Sequence, residues 1–140
     1  MTQEDKELLI KDLCARLPYG PVIRTWYDKI INIKCVGISA YSNVVELDIP
    51  EDDSARVYID NVKPYLFPLS SMTEEQKKYI SDRWGVNEDF DFEIDPNWGR
   101  FFVDLGDAVG FINWCYENHF DINFLILKGL ALDATGKGIY

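Results

Sequence analysis

The sequence predicts an α+β domain in which a small antiparallel sheet has three or so helices packed on it. Three observations support this class. The chain has 140 residues, 47% of them hydrophobic, which is enough for one domain whose core needs neither disulfides nor metal. Four short runs rich in Val, Ile and aromatic residues lie close together. Helical periodicity occurs before and after them. We therefore expect a single globular domain over residues 1–140.

The first predicted element is an amphipathic helix over residues 3–17. Thr2 is placed to cap it, because Asp5 stands at the third helical position and completes a capping box. The apolar stripe of this helix consists of Leu8, Leu9, Leu13 and Leu17. The stretch PYGP at 18–21 ends the helix.

Four strand-like runs follow, separated by turn residues. They are VIRTWY at 22–27, IINIKCVGI at 30–38, NVVELDI at 43–49 and ARVYI at 55–59. No helix fits between consecutive runs, so antiparallel hairpins are predicted rather than parallel crossovers. A later stretch, DFDFEID at 89–95, alternates apolar residues with carboxylates and predicts a further strand.

The segment KPYLFPLSSMT at 63–73 contains Pro64 and Pro68, which argue against both a regular helix and a central strand. We interpret KPYLFPL either as a clamp between sheet and helix or as a contact surface. The clamp would bury Tyr65, Leu66, Phe67 and Leu69. The contact surface would expose the ring of Phe67.

A second helix is predicted over about 74–84. Thr73 and Gln76 form a capping box at its start. Gly85 is well placed to end it.

A third helix should run from about 105 to 118, with Asp104 as its cap. Its predicted apolar face consists of Leu105, Ala108, Val109, Ile112, Cys115, Tyr116 and His119. Beyond it we expect a short turn or helix near 122–127 and a closing strand at 130–134.

The net charge of −10, from 14 basic and 24 acidic residues, repels phosphates, so direct nucleic-acid binding is not expected. The acidity is concentrated in residues 46–60 and 88–107. If these form one continuous stripe, an alternative function is an acidic nucleic-acid mimic that acts on a DNA-binding protein. The beginning of the chain is charged and the run FLIL at 124–127 is short, so neither a signal peptide nor a membrane span is predicted. We expect a cytoplasmic protein.

The sequence predicts no metal and no cofactor. Its three cysteines lie far apart and form no Cys-x-x-Cys pair, which argues against a disulfide framework and a zinc site and fits a reducing compartment. They are Cys14, Cys35 and Cys115. A calcium loop beginning at Asp89 would need glycine and glutamate where Ile94 and Arg100 stand.

Cys115 and His119 are four residues apart, so a helix places them on one face. This spacing permits a thiol activated by an imidazole, but the predicted face is apolar. The pattern therefore favours a buried structural cysteine and a histidine that gains from the helix dipole when it is protonated. Asp121 is expected to cap the next turn with its carboxylate.

Several motifs resemble one family. The stretch NVKPYLFPLSSMTEEQKKY at 61–79, then NHFD at 118–121, then GLAL at 129–132 are similar to uncharacterised small proteins of gut Bacteroidales bacteria and their phages or prophages. The opening KDLCARLPYG at 11–20 also resembles the start of that family, whereas Phe67 stands where arginine is common. No activity is established for the family. The resemblance therefore implies a bacterial or phage origin and a cytoplasmic setting.

These observations predict a non-enzymatic protein-interaction module with a protein partner in a phage or mobile-element context. The candidate binding residues are Tyr65, Phe67, Trp114, His119 and Asp121. No catalytic or metal-binding residue is assigned. The alternative from another class is an enzyme that uses Cys115 with His119, or a pair of carboxylates.

Overall fold

The computed structural model describes residues 1–25, 30–38, 43–47, 56–84 and 105–140, and it confirms the α+β class. Its helices are α1 (Gln3–Arg16), α2 (Glu74–Trp84) and α3 (Leu105–Glu117). Its strands are β1 (Val22–Arg24), β2 (Ile30–Ile38), β3 (Asn43–Leu47), β4 (Arg56–Tyr58), β5 (Lys63–Leu66) and β6 (Leu132–Asp133). Gly85, Asp104 and the predicted strand at 89–95 lie outside the described residues. Within those residues, no helix is long and apolar enough to cross a membrane.

The strands form one sheet in the order β4-β3-β2-β1-β5-β6. The pairs of β1 with β2, β2 with β3 and β3 with β4 are antiparallel, as the short predicted connections require. The pair of β1 with β5 is also antiparallel. The pair of β5 with β6 is parallel. A parallel pair needs a long crossover, and the chain between these two strands includes α2 and α3.

The expectation that the prolines exclude a central strand is wrong, because β5 lies between β1 and β6. Pro64 pairs with Ile23 on the β1 side. The pairing with β6 begins only at Tyr65. Pro68 follows the end of the strand. The two residues that lack an N–H group therefore fall outside the ladder between β5 and β6.

Local hydrogen bonds begin α1 and α2 where the sequence predicts. In α1, the Asp5 N–H donates to Thr2 Oγ1 and the Thr2 N–H donates to Asp5 Oδ2, both at 3.1 Å. In α2, the Thr73 N–H donates to Gln76 Oε1 at 2.9 Å and the Gln76 N–H donates to Thr73 Oγ1 at 3.2 Å. Both predicted capping boxes are confirmed.

The buried face of α3 differs from the predicted stripe. Val109, which the stripe includes, is 48% exposed, whereas Phe111 is fully buried. Phe111 and Cys115 are four residues apart and both pack with Ile80 of α2. The larger ring of Phe111 buries more apolar area than the valine would. Gly110 admits the indole of Trp84, since a Cβ there would lie 2.7 Å from Trp84 Nε1.

The inner face of α1 buries an ion pair that the sequence pattern did not indicate. The Asp12 and Arg16 side chains are both 0% exposed. Arg16 Nε donates to Asp12 Oδ2 at 2.6 Å, and Arg16 Nη2 donates to the Phe120 carbonyl at 2.7 Å. Asn123 Nδ2 donates to Asp12 Oδ1 at 2.8 Å. These bonds attach α1 to the chain that follows α3.

We expect Arg16→Met to lower the free energy of unfolding by about 3–5 kcal/mol, because it leaves the Asp12 carboxylate buried without its cation. The double variant Asp12→Leu/Arg16→Met removes both charges and should be more stable than Arg16→Met alone. Urea unfolding of the three proteins measures the difference. A double variant that is no more stable than the single one would contradict this account.

Candidate functional site

Helix α3 ends in a turn that redirects the chain at His119. The His119 N–H donates to the Tyr116 carbonyl at 3.1 Å, and the Phe120 N–H donates to the Cys115 carbonyl at 2.8 Å. This is the Schellman arrangement, with His119 in the left-handed position at φ 61°. Histidine adopts that region more readily than most residues with a Cβ. The turn leaves Phe120 buried next to Cys115.

A parallel bridge then joins this turn to the segment after β5. The Phe67 N–H donates to the His119 carbonyl at 2.9 Å, and the Asp121 N–H donates to the Phe67 carbonyl at 2.8 Å. The bridge places KPYLFPL beside NHFD, two motifs that are far apart in the sequence. Tyr65, Leu66 and Leu69 are buried, as the clamp interpretation requires, and Phe67 is partly buried.

Asp121 fixes the next turn, as predicted. Its buried carboxylate accepts hydrogen bonds from the N–H groups of Leu125 and Ile126, each at 2.8 Å. Burial raises the pKa of Asp121, and these two bonds act in the opposite direction. At the other end, the Gly129 N–H donates to the Ile126 carbonyl at 3.0 Å, with Gly129 at φ 71°. The turn at 125–129 is therefore closed by hydrogen bonds at both ends.

His119 is neutral at pH 7, so the gain from the helix dipole, which was expected only for the protonated imidazole, does not apply at this pH. Its ring stacks on the ring of Tyr140, with centroids 3.6 Å apart and planes 11° apart. Burial, together with the charge of Arg16, lowers the pKa of His119 to about 4. Within the described part of the chain, its buried Nδ1 has no hydrogen-bond partner.

The hydroxyl of Tyr140 is bound on both sides. It accepts a hydrogen bond from the Val22 N–H at 3.1 Å and donates one to the Tyr65 carbonyl at 2.8 Å. The ring of Phe67 lies 5.9 Å from the Tyr140 ring, between centroids. No local pattern in the sequence points to Tyr140.

Trp114 supports the site by stacking on two other aromatic rings. Its ring stacks on Phe120 at 5.6 Å and on Tyr79 at 5.8 Å, between centroids. Trp114 therefore fixes the buried ring of Phe120, which in turn contacts Phe67.

The five predicted binding residues are divided among different environments. Phe67 and His119 line one shallow cavity of about 350 Å³, together with Phe120 and Tyr140. Asp121 lines a second cavity of about 410 Å³. Tyr65 and Trp114 line neither of these two cavities.

The second cavity, which we call the Leu127 cavity, has mostly apolar walls. Its lining residues are Pro68, Leu69, Ser70, Asp121, Phe124, Ile126, Leu127 and Asp133. Leu127 is 80% exposed. Phe124 has φ 55°, which is a strained conformation for a bulky residue. The run FLIL at 124–127 was the available signal for this surface, because four apolar residues in a turn cannot all be buried.

Cys115 does not form an accessible nucleophile. Its side chain is fully buried, and burial raises the pKa of its thiol well above the usual value. With His119 neutral as well, neither group is charged at pH 7. These observations argue against the enzyme alternative that depends on this pair. No group of three or more potential metal ligands occurs among the described residues.

The alternative of an acidic mimic depends on residues 46–60 and 88–107. Most of these residues lie outside the described part of the chain. Comparisons of the chain with protein-family models, with curated proteins and with solved structures find no match. The resemblance to the Bacteroidales family therefore stays a prediction.

We expect native Cys115 to react slowly with a thiol reagent and to react rapidly in denaturant, because its sulfur is buried and protonated. Exposed Cys14 should react rapidly in both conditions and is the internal control. Peptide mapping by mass spectrometry assigns each label. Rapid labelling of native Cys115 would restore the nucleophile interpretation.

We expect the protein to lose stability as the pH falls from 6.5 towards 4. In this range the unfolded chain binds a proton at His119, whereas the folded protein does not until the pH approaches its lowered pKa of about 4. The full shift corresponds to about 3 kcal/mol. Solvent around the partly exposed ring reduces this to about 1–2 kcal/mol.

Urea unfolding at pH 7 and pH 4.5 measures this loss in the wild type and in His119→Gln. The variant keeps the other titrating groups, so the difference between the two proteins isolates the histidine. Equal losses in both proteins would contradict the assignment.

Proposed function

We propose that the protein is a non-enzymatic interaction module that binds a protein partner at the Leu127 cavity. The observation that carries the proposal is the position of Leu127, which is 80% exposed at an apolar cavity of about 410 Å³. An exposed apolar side chain beside a concave apolar surface is a typical feature of a protein contact. The partner would place an apolar side chain in the cavity and cover Leu127.

The turn that carries Leu127 is suited to binding because it is already ordered. Asp121 binds two N–H groups at the beginning of the turn, and Gly129 closes it. A surface that is rigid before binding loses little conformational entropy when a partner associates. The strained backbone at Phe124 is maintained by the same bonds, which is common where a segment has a binding role.

Charge favours a partner with basic residues around its apolar contact. Asp133 lines the cavity and is exposed, and the chain has a net charge of −10. Attraction between opposite charges steers association and rejects acidic partners. The resemblance to Bacteroidales and phage proteins supports a cytoplasmic partner in a phage or mobile-element context.

The test is capture of a partner from a gut Bacteroidales lysate by the immobilised protein, followed by titration of the purified partner. We expect Leu127→Ser to weaken binding by about 2 kcal/mol if the leucine is a hot spot, with an unchanged melting temperature. Tyr58→Ser is the matched control, because Tyr58 is 60% exposed on β4 at the opposite edge of the sheet. Equal binding by Leu127→Ser and Tyr58→Ser would refute the proposed surface.

A further inference from the structure

The side chain of Tyr140 is bound as a ligand would be. Its hydroxyl accepts from the Val22 N–H and donates to the Tyr65 carbonyl, at 3.1 and 2.8 Å. One face of its ring stacks on His119 at 3.6 Å, and Phe67 lies 5.9 Å away, between ring centroids. We call the four groups around the ring the tyrosine socket. They come from β1, β5, the segment after β5 and the end of α3.

The segment that leads to Tyr140 makes fewer contacts than the ring. Residues 135–138 are exposed, and Gly136 and Gly138 both have positive φ, at 70° and 63°. Glycine in this region changes conformation at low cost. Ile139 packs against a buried cluster, and Lys137 Nζ lies 6.0 Å from the centroid of the Tyr65 ring. Thr135 and Lys137 donate backbone hydrogen bonds only to nearby residues, Asp133 Oδ1 and the Ala134 carbonyl. The hydrogen bonds to β1 and β5 are made by the Tyr140 hydroxyl, which would keep them if it were part of another molecule.

An approach to the socket is present. The cavity of about 350 Å³ borders Tyr140, His119 and Phe67 and has polar groups at Thr73, Gln76 and Asn118. The capping box uses Thr73 Oγ1 and Gln76 Oε1 as acceptors, and Asn118 Nδ2 donates to the Trp114 carbonyl. The Thr73 hydroxyl proton, Gln76 Nε2 and Asn118 Oδ1 remain to bind the backbone of a peptide whose tyrosine enters the socket. Tyr140 itself is 43% exposed, so the socket faces solvent once this ring is displaced or removed.

We propose that the tyrosine socket is a second binding site, specific for a tyrosine side chain of a partner protein and occupied here by the chain's own Tyr140. The socket requires a hydroxyl that both accepts and donates. Phenylalanine would leave the Val22 N–H and the Tyr65 carbonyl without partners, and a site built for a hydroxyl rejects an analogue that lacks it. None of the socket residues lines the Leu127 cavity. This inference therefore stands or falls separately from the proposed function.

The linked Tyr140 competes with any external tyrosine. A ring attached by a short flexible segment has an effective concentration in the millimolar range. An external tyrosine therefore binds below the millimolar range only if its protein adds contacts in the neighbouring cavity, or if Tyr140 is removed. This competition makes Tyr140→Ala the informative variant.

His119 provides the readout, because it is the only histidine in the chain. The stacked Tyr140 ring should shift the resonances of the His119 imidazole protons upfield in the nuclear magnetic resonance spectrum. We expect Tyr140→Ala to lose this shift and N-acetyltyrosinamide to restore it in a saturable manner. N-acetylphenylalaninamide should bind at least about tenfold more weakly, since it lacks the hydroxyl.

Two results would overturn the inference: no saturable shift with N-acetyltyrosinamide in folded Tyr140→Ala, or equal binding of the two amides. If Tyr140→Ala does not fold, Tyr140→Phe replaces it, because this variant keeps the ring and loses only the hydroxyl. N-acetyltyrosinamide should then displace the variant ring at a concentration about tenfold lower than in the wild type. The same displacement concentration in both proteins would also overturn the inference.

Discussion

The buried pair of Asp12 and Arg16 is the interaction on which the arrangement of both sites depends. Arg16 donates to the Phe120 carbonyl, and Asp12 accepts from Asn123, so the pair fixes residues 120–123 against α1. The guanidinium also lies over the ring of Tyr116, 4.9 Å from its centroid. Burying two charges costs more free energy than burying an apolar pair of similar size. Its contribution is therefore better understood as positional: few other placements of the segment after α3 satisfy both charges.

The charge of Arg16 also affects the groups around it. It lowers the pKa of His119, as burial also does. Burial raises the pKa values of Cys115, Asp121 and Tyr140, and the charge of Arg16 opposes that rise. A neutral imidazole stacks on the phenol ring of Tyr140 more readily than a cation would, because it has no charge to remove from water. One buried arginine therefore fixes the position of residues 120–123 and also contributes, after burial, to the pKa values of the groups around it.

The features that could be predicted from the sequence are those made by residues close together in the chain. The capping boxes at Thr2 and Thr73 and the cap by Asp121 each join residues three to five positions apart, so local patterns reveal them. The contacts that build the sites are different. Arg16 is separated from Phe120 by 104 positions, and Tyr140 from Val22 by 118. No periodicity links such pairs.

Two predictions, of the buried face of α3 and of the segment that forms β5, were wrong for reasons that can be identified. The stripe of α3 was placed through Val109 because helical spacing alone does not tell which of two adjacent faces buries the larger rings. The strand β5 was excluded because a proline argument cannot know which of its N–H groups face a neighbour. In both, the missing information was the identity of the packing partner, which only the tertiary structure supplies.

The parallel pairing of β5 with β6 and the bridge between Phe67 and Phe120 have a consequence for the order of folding. The hairpins of β1 to β4 join residues near in sequence, whereas these pairings close a loop of more than fifty residues that contains α2 and α3. Closing a loop of this length costs conformational entropy before the contacts that it makes can stabilise the chain. Such pairings therefore form late. Both binding surfaces are therefore assembled after the hairpins of the sheet, and they reach their ordered form only when the two ends of this long loop have met.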